Sequence, residues 1–147
     1  MYNTKILAKA LSDIAKKESA SKYKLCATKG CIWVFYRGVA LYPVLNYIGL
    51  TIDNPDISIN ESTVKHIIDN IRDEQEIQPT GFIYNDLTEF TDSKGNKFYC
   101  KSKFLKDVGN AKYNYYTYIE KKYICIYDDP AKNILYAVIC PVIRKEK

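Results

Sequence analysis

Three groups of residues in this chain have types and spacings that chemistry could use. Asp107 with Glu120-Lys121-Lys122 mimics the Asp…Glu-x-Lys spacing by which some metal-dependent nucleases hold Mg²⁺ and orient a water. Cys26 and Cys31, separated by four residues, are soft ligands with His66 as the one other candidate to complete a zinc site. Lys5, Lys9, Ser12 and Lys16 recur at helical spacing, and the three lysines would present ammonium groups to phosphate.

The elements that must position these groups favour the third. Asp107 falls on a short helix and Lys121-Lys122 in a hairpin turn, the wrong setting for a metal held between carboxylates. No second closely spaced ligand pair accompanies Cys26 and Cys31. The five cysteines, Cys26, Cys31, Cys100, Cys125 and Cys140, are an odd number scattered through apparent strands, as buried reduced thiols are. One histidine and six single glycines at turns leave no basis for a histidine triad or a glycine-rich phosphate loop. The expectation is a binding protein and not an enzyme, with no catalytic residue, no metal and no cofactor.

The first element reads as a helix from Asn3 or Thr4 to near Ser19, with its apolar face centred on Leu7, Leu11 and Ile14 and the lysine stripe opposite. Tyr23 to Thr28 and Cys31 to Arg37 read as a hairpin turning at Thr28-Lys29-Gly30, with Trp33 and Phe35 on one face. Val39 to Val44 follows as a strand that Pro43 puts at an edge or end, and Ile48 to Asp53 reads as another short strand. Ser58 and Glu61 have capping-box spacing, and Val64, Ile67, Ile68 and Ile71 form the apolar stripe of an acidic helix. His66 projects about 160° from that stripe, into solvent. Pro79-Thr80-Gly81 should break this helix, with a strand from Phe82 to Phe90, a turn at Asp92 to Asn96, and a return strand from Lys97 to Lys101. A short helix capped by Ser102 and ended by Gly109 leads to a three-strand meander from Tyr113 to Arg144, which holds half of the fourteen tyrosines. Along Tyr113 to Glu120 both strand faces carry tyrosines, so the face bearing Tyr116 and Tyr118 must pack on a helix, a partner or a base.

A chain of 147 residues is the size of one domain, and the fold class that follows is α+β, an antiparallel sheet with about three helices. Residues 1–147 are taken as a single domain of two half-units, about 1–53 and 82–147, with an acidic helical insertion at about 58–76. No apolar run reaches the roughly 20 residues that span a bilayer, and no signal pattern opens the chain, so the expected location is the cytoplasm with no membrane partner. Abundant Lys, Asn, Ile and Tyr share AT-rich codons, which fits an AT-rich bacterium or a phage or mobile element within one. The net charge of +5 hides a division, with residues 1–38 at +6, residues 39–92 at −8 and residues 93–147 at +7. Basic ends can meet phosphate, and an acidic middle can mimic it.

Lys103-Phe104-Leu105-Lys106-Asp107-Val108, Asp128-Asp129-Pro130 and the closing run from Ile134 to Arg144 together resemble the end of a DNA sliding-clamp domain. In that family a β-α-β-β-β unit repeats twice per domain, and the helices face duplex DNA. The likeness covers about the last 45 residues, with weaker support from Ile6 to Ala15. This chain departs from the family ending by one extra residue between Pro141 and Arg144, carries the acidic helix as an insertion, and offers one domain where a ring needs several, so it would have to oligomerise or use a clamp-like domain for another purpose. The resemblance implies that Lys5, Lys9, Lys16, Lys103 and Lys106 face a nucleic-acid backbone, and that Pro141, Val142 and Ile143 receive a protein partner. The leading expectation is a replication-associated, clamp-like nucleic-acid-binding module. The alternative is a phage or mobile-element protein that inhibits a host protein through an acidic surface of Glu61, Asp69, Asp73 and Glu74.

Overall fold

The computed structural model describes residues 4–17, 20–29, 31–36, 39–46, 58–106, 108, 114–120, 122–132 and 134–142. Antiparallel strands and three helices make up these residues, in the α+β class. The chain forms two compact units, Met1–Arg72 and Asp73–Lys147.

In the first unit, helix α1 (Thr4–Lys17) precedes a meander of β1 (Tyr23–Thr28), β2 (Cys31–Tyr36) and β3 (Ala40–Asn46), and helix α2 (Glu61–Asp69) follows. The β1–β2 turn fixes Thr28 opposite Cys31 and carries the register out to Tyr23 opposite Tyr36. Lys29 supplies a positive φ of 53° there, while Gly30 lies outside the described residues. Trp33 closes the same turn, its indole N–H donating to the Thr28 carbonyl at 3.0 Å. Pro43 stands within β3, opposite Trp33 and beside the register shift at Ile32/Trp33, where a residue without an N–H is tolerated.

Helix α1 buries Ile6, Ala10 and Ile14 against the strands, whereas Leu11 remains 47 % exposed. The buried stripe is therefore Ile6-Ala10-Ile14, at i, i+4 and i+8, and not one centred on Leu7 and Leu11. Ala10 at its middle has no bulk beyond Cβ and lets the helix approach closely. Helix α2 packs Val64 against β1, and the Ile59 N–H donates to the Leu25 carbonyl at 3.1 Å. Its N-cap is Asn60, whose side chain accepts from the Ser62 N–H, in place of the expected Ser58–Glu61 box. The expected strand from Ile48 to Asp53 lies outside the described residues.

The second unit contains β4 (Gln75–Tyr84), β5 (Leu87–Thr91), β6 (Lys97–Lys101), helix α3 (Ser102–Lys106), β7 (Tyr115–Ile119), β8 (Tyr123–Tyr127) and β9 (Leu135–Ile139). Its antiparallel order is β9-β8-β7-β4-β5-β6. The expected helix through Glu76 ends instead at Asp69, and β4 runs directly through Pro79 and Gly81. Two features permit this. Pro79 lies beside a register shift that ends at Ile83, and Gly81 adopts a φ of 86° within it. Strand β4 pairs with β7 from Gln75 to Ile77, then with β5 at Gln78, Pro79, Ile83 and Tyr84. The change of partner lets the β5–β6 hairpin cover β7. Phe98 stacks on Tyr118 with ring centroids 4.0 Å apart, and Phe90 lies 5.1 Å from Tyr116. The tyrosine-rich second face of β7 is thus covered by phenylalanines of its own unit. Beyond β9, the Val142 N–H donates to the Tyr99 carbonyl of β6 at 2.7 Å, so the two ends of the strand order are tied together.

One carboxylate fastens the start of β4. Glu74 has a side chain only 9 % exposed and accepts from Thr117 Oγ1 at 2.5 Å, Tyr127 OH at 2.8 Å and Lys132 Nζ at 3.1 Å. Its donors come from β7, β8 and the β8–β9 turn. Burial, the nearby Cys125 and Glu74 together push the Tyr127 phenol far above its ordinary range. Replacing Glu74 by Ala should cost about 2–4 kcal/mol, because two buried hydroxyls lose their acceptor. Urea unfolding of Glu74→Ala and of Glu74→Ala with Thr117→Val and Tyr127→Phe tests this, and the triple variant should recover part of the loss.

Candidate nucleic-acid interface

A concentration of cationic groups around a concavity lies in the first unit. Lys9, Ser12, Asp13, Lys16 and Lys17 of α1, with Lys22, Tyr23 of β1 and Tyr36 of β2, line an open depression of about 420 Å³. Helix periodicity brings Lys9, Ser12 and Lys16 to one side, while the hairpin register puts Tyr36 beside Tyr23. The two rings meet edge to face at 5.0 Å and 65°. Four ammonium groups thus surround one carboxylate and two phenols.

Asp13 organises the bend between helix and strand. Its carboxylate accepts from Ser21 Oγ at 2.7 Å and pairs with Lys17 at 3.2 Å, while Ser21 Oγ accepts from the Tyr23 N–H at 3.1 Å. These bonds secure Lys22 and Tyr23 next to the last turn of α1. The Ser21 hydroxyl first, then Lys17 and Lys16, hold the Asp13 carboxyl below its usual range despite some opposing desolvation. It therefore stays ionised and answers Lys17, leaving an excess of positive charge. Ammonium groups can bind phosphate oxygens, and the half-buried Tyr36 adds hydroxyl and ring contacts, while Tyr23 is buried beside it.

Of the expected nucleic-acid residues, Lys9 and Lys16 line this depression and Lys5 does not. Lys103 and Lys106 stand exposed on α3 of the second unit, a helix of only five residues. Sequence reasoning missed Lys17, Lys22, Tyr23 and Tyr36 as members of the site. The pairing of Tyr23 with Tyr36 was available from the turn, because Thr28 opposite Cys31 sets every pair behind it.

Pro141 and Val142 are half-buried, and the Val142 backbone is committed to Tyr99; Ile143 lies outside the described residues. Of the expected acidic surface, Glu61 and Asp69 belong to the first unit and Asp73 and Glu74 to the second. Glu61 pairs with Lys65, Asp69 with Lys29 at 2.7 Å, and Glu74 is buried in the bonds described above. Asp73, although exposed, lies beyond the end of α2 and has a φ of 57°.

For the nuclease-like spacing, Asp107 and Lys121 lie outside the described residues, while Glu120 and Lys122 are exposed in the β7–β8 turn. His66 is exposed on α2. Among the described residues no group of three or more His, Cys, Asp and Glu side chains converges on a metal position. Burial pushes the thiols of Cys100 and Cys125 up to about 12 and contributes most to raising Cys26 to about 11. These thiols are poor nucleophiles at neutral pH. No helix among the described residues is long and apolar enough to cross a membrane.

No family model, curated protein or solved structure matches the chain.

The lowered pKa of Asp13 gives its stability contribution a definite pH dependence. An unfolded Asp titrates near pH 4, so the stabilisation from the ionised folded form is complete above that value and disappears as pH falls through the folded value. The stability difference between the parent chain and Asp13→Asn should be level from pH 7 to about pH 5 and shrink below about pH 4. Urea unfolding across that series checks it, and a difference that grows on acidification contradicts the assignment.

Proposed function

We propose that this protein is a non-catalytic nucleic-acid-binding module and that the α1 depression holds the phosphate backbone. The observation carrying this reading is the grouping of Lys9, Lys16, Lys17 and Lys22 with Tyr23 and Tyr36 around one concavity. Lysine ammoniums supply attraction without reading sequence, and the half-buried Tyr36 ring tolerates any base. The concavity suits one strand of a nucleic acid better than the broad face of a duplex.

A clamp-like, replication-associated role draws support from the order β6-α3-β7-β8-β9, which is a β-α-β-β-β succession. In the first unit, α1 followed by β1-β2-β3 has the corresponding α-β-β-β portion. Inhibition of a host protein through the acidic middle draws less support, since Glu61, Asp69 and Glu74 each have a cationic partner within their own unit.

Fluorescence anisotropy with labelled single-stranded and duplex oligonucleotides across a salt series tests the proposal. With about three phosphates contacted, the slope of log K against log salt for a single strand should be about −2. Lys16→Glu with Lys22→Glu should weaken binding at least tenfold and flatten that slope by about 1.4. The absence of binding to either oligonucleotide at low salt overturns the proposal, and an unchanged affinity in the double variant overturns the assigned surface.

A further inference from the structure

The α1 depression contains a group that phosphate binding alone does not call for. Asp13 lines it among Lys9, Lys16, Lys17 and Lys22. Lys9 and Lys17 stand four residues before and after Asp13 on the same side of α1, and Lys16 stands three residues after it. The bond from Ser21, with the Lys17 and Lys16 ammoniums, keeps this carboxylate ionised. A phosphate held by these lysines therefore meets a negative charge between them, which opposes any strand whose sugars offer the carboxylate nothing.

An ionised carboxylate only accepts hydrogen bonds, and it has about four lone-pair positions. Ser21 Oγ donates to Oδ2 at 2.7 Å and the Lys17 ammonium lies 3.2 Å from Oδ1, so each oxygen keeps room for a further donor. The side chain is 22 % exposed and lines the depression, within reach of a ligand there. Its place amid the ammoniums selects the kind of donor. A phosphate held by Lys9, Lys16 or Lys17 brings the adjoining sugar beside Asp13, whereas the base edges extend away from the backbone. The donor on that sugar is the ribose 2′-hydroxyl, which deoxyribose lacks. A hydroxyl donating to a carboxylate makes a charge-assisted bond, as Ser21 already does with Asp13, and the Lys17 ammonium can donate to the same 2′-oxygen.

Resting on the nucleic-acid reading above, we propose that Asp13 makes the depression select RNA over DNA by accepting a hydrogen bond from a ribose 2′-hydroxyl while the surrounding lysines hold the flanking phosphates. The Ser21 bond fixes the Oδ2 side of the carboxylate, and Oδ1, beside Lys17, receives the sugar. The carboxylate then serves two ends, securing the bend after α1 and distinguishing the two kinds of strand.

Fluorescence anisotropy tests this with the full chain and labelled single strands of one sequence of A and C, made as RNA, as DNA and as 2′-O-methyl RNA. RNA should bind about tenfold more tightly than DNA, the size of one hydrogen bond to a charged group. The 2′-O-methyl strand keeps the ribose oxygen but loses its hydrogen, and it should bind no more tightly than DNA. Asp13→Asn can still accept from Ser21 through its amide oxygen, and with its fold checked by circular dichroism it should lower the RNA-to-DNA affinity ratio about fivefold or more. A ratio near one in the parent chain overturns the selectivity and leaves the nucleic-acid reading standing, whereas no binding of any strand at low salt overturns both. The selectivity also fails if 2′-O-methyl RNA binds as RNA does, or if Asp13→Asn changes RNA and DNA binding alike.

Discussion

The stacking of Phe98 on Tyr118, with Phe90 set against Tyr116, is the contact on which the second unit depends. Strand β7 has tyrosines on both faces, and rings this large strongly favour removal from water. Covering one face requires the β5–β6 hairpin to cross over it, and that requires β4 to leave β7 after Ile77 and continue with β5. The irregularity at Pro79 and the left-handed Gly81 make the departure possible. Glu74 fastens the strand just before this point, and the Val142–Tyr99 bond secures the far end. The exposed tip at Phe82 to Tyr84 is a consequence of the same geometry, because β4 runs on past its first partner.

Much of the local structure was legible in the residues themselves. The 28–31 turn and the run from Tyr115 to Ile139 follow from alternating β-branched and aromatic residues between polar turns, and α1 follows from its helical period. The register of the first hairpin was fixed by its turn. Sequence reasoning failed where a local rule met a competing constraint. Pro79 and Gly81 read as a break, yet a strand with a bulge accommodates both. Glu74 read as one more surface acid, yet Thr117, Tyr127 and Lys132, which receive it, stand more than forty positions away in sequence. Leu11 read as a core residue because leucine usually is, but the smaller Ala10 sets the buried face.

The candidate site shows the same division. Helical spacing was enough to unite Lys9 and Lys16. Lys22, Tyr23 and Tyr36 join them only because the chain bends back after α1, and that bend rests on the bonds among Asp13, Ser21 and the Tyr23 backbone. The α1 depression, rich in ammonium groups, suits an anion.

The central claim is that the α1 depression is where nucleic acid binds, and residue-resolved NMR tests it most directly. Titrating an ¹⁵N-labelled chain with a single-stranded oligonucleotide should move the amide signals of Lys9, Ser12, Lys16, Lys17, Lys22, Tyr23 and Tyr36 together, with one saturation curve. Signals from the β4–β5 hairpin should stay in place. Shifts concentrated on the second unit, or a spectrum that remains unchanged at saturating oligonucleotide and low salt, would contradict the claim.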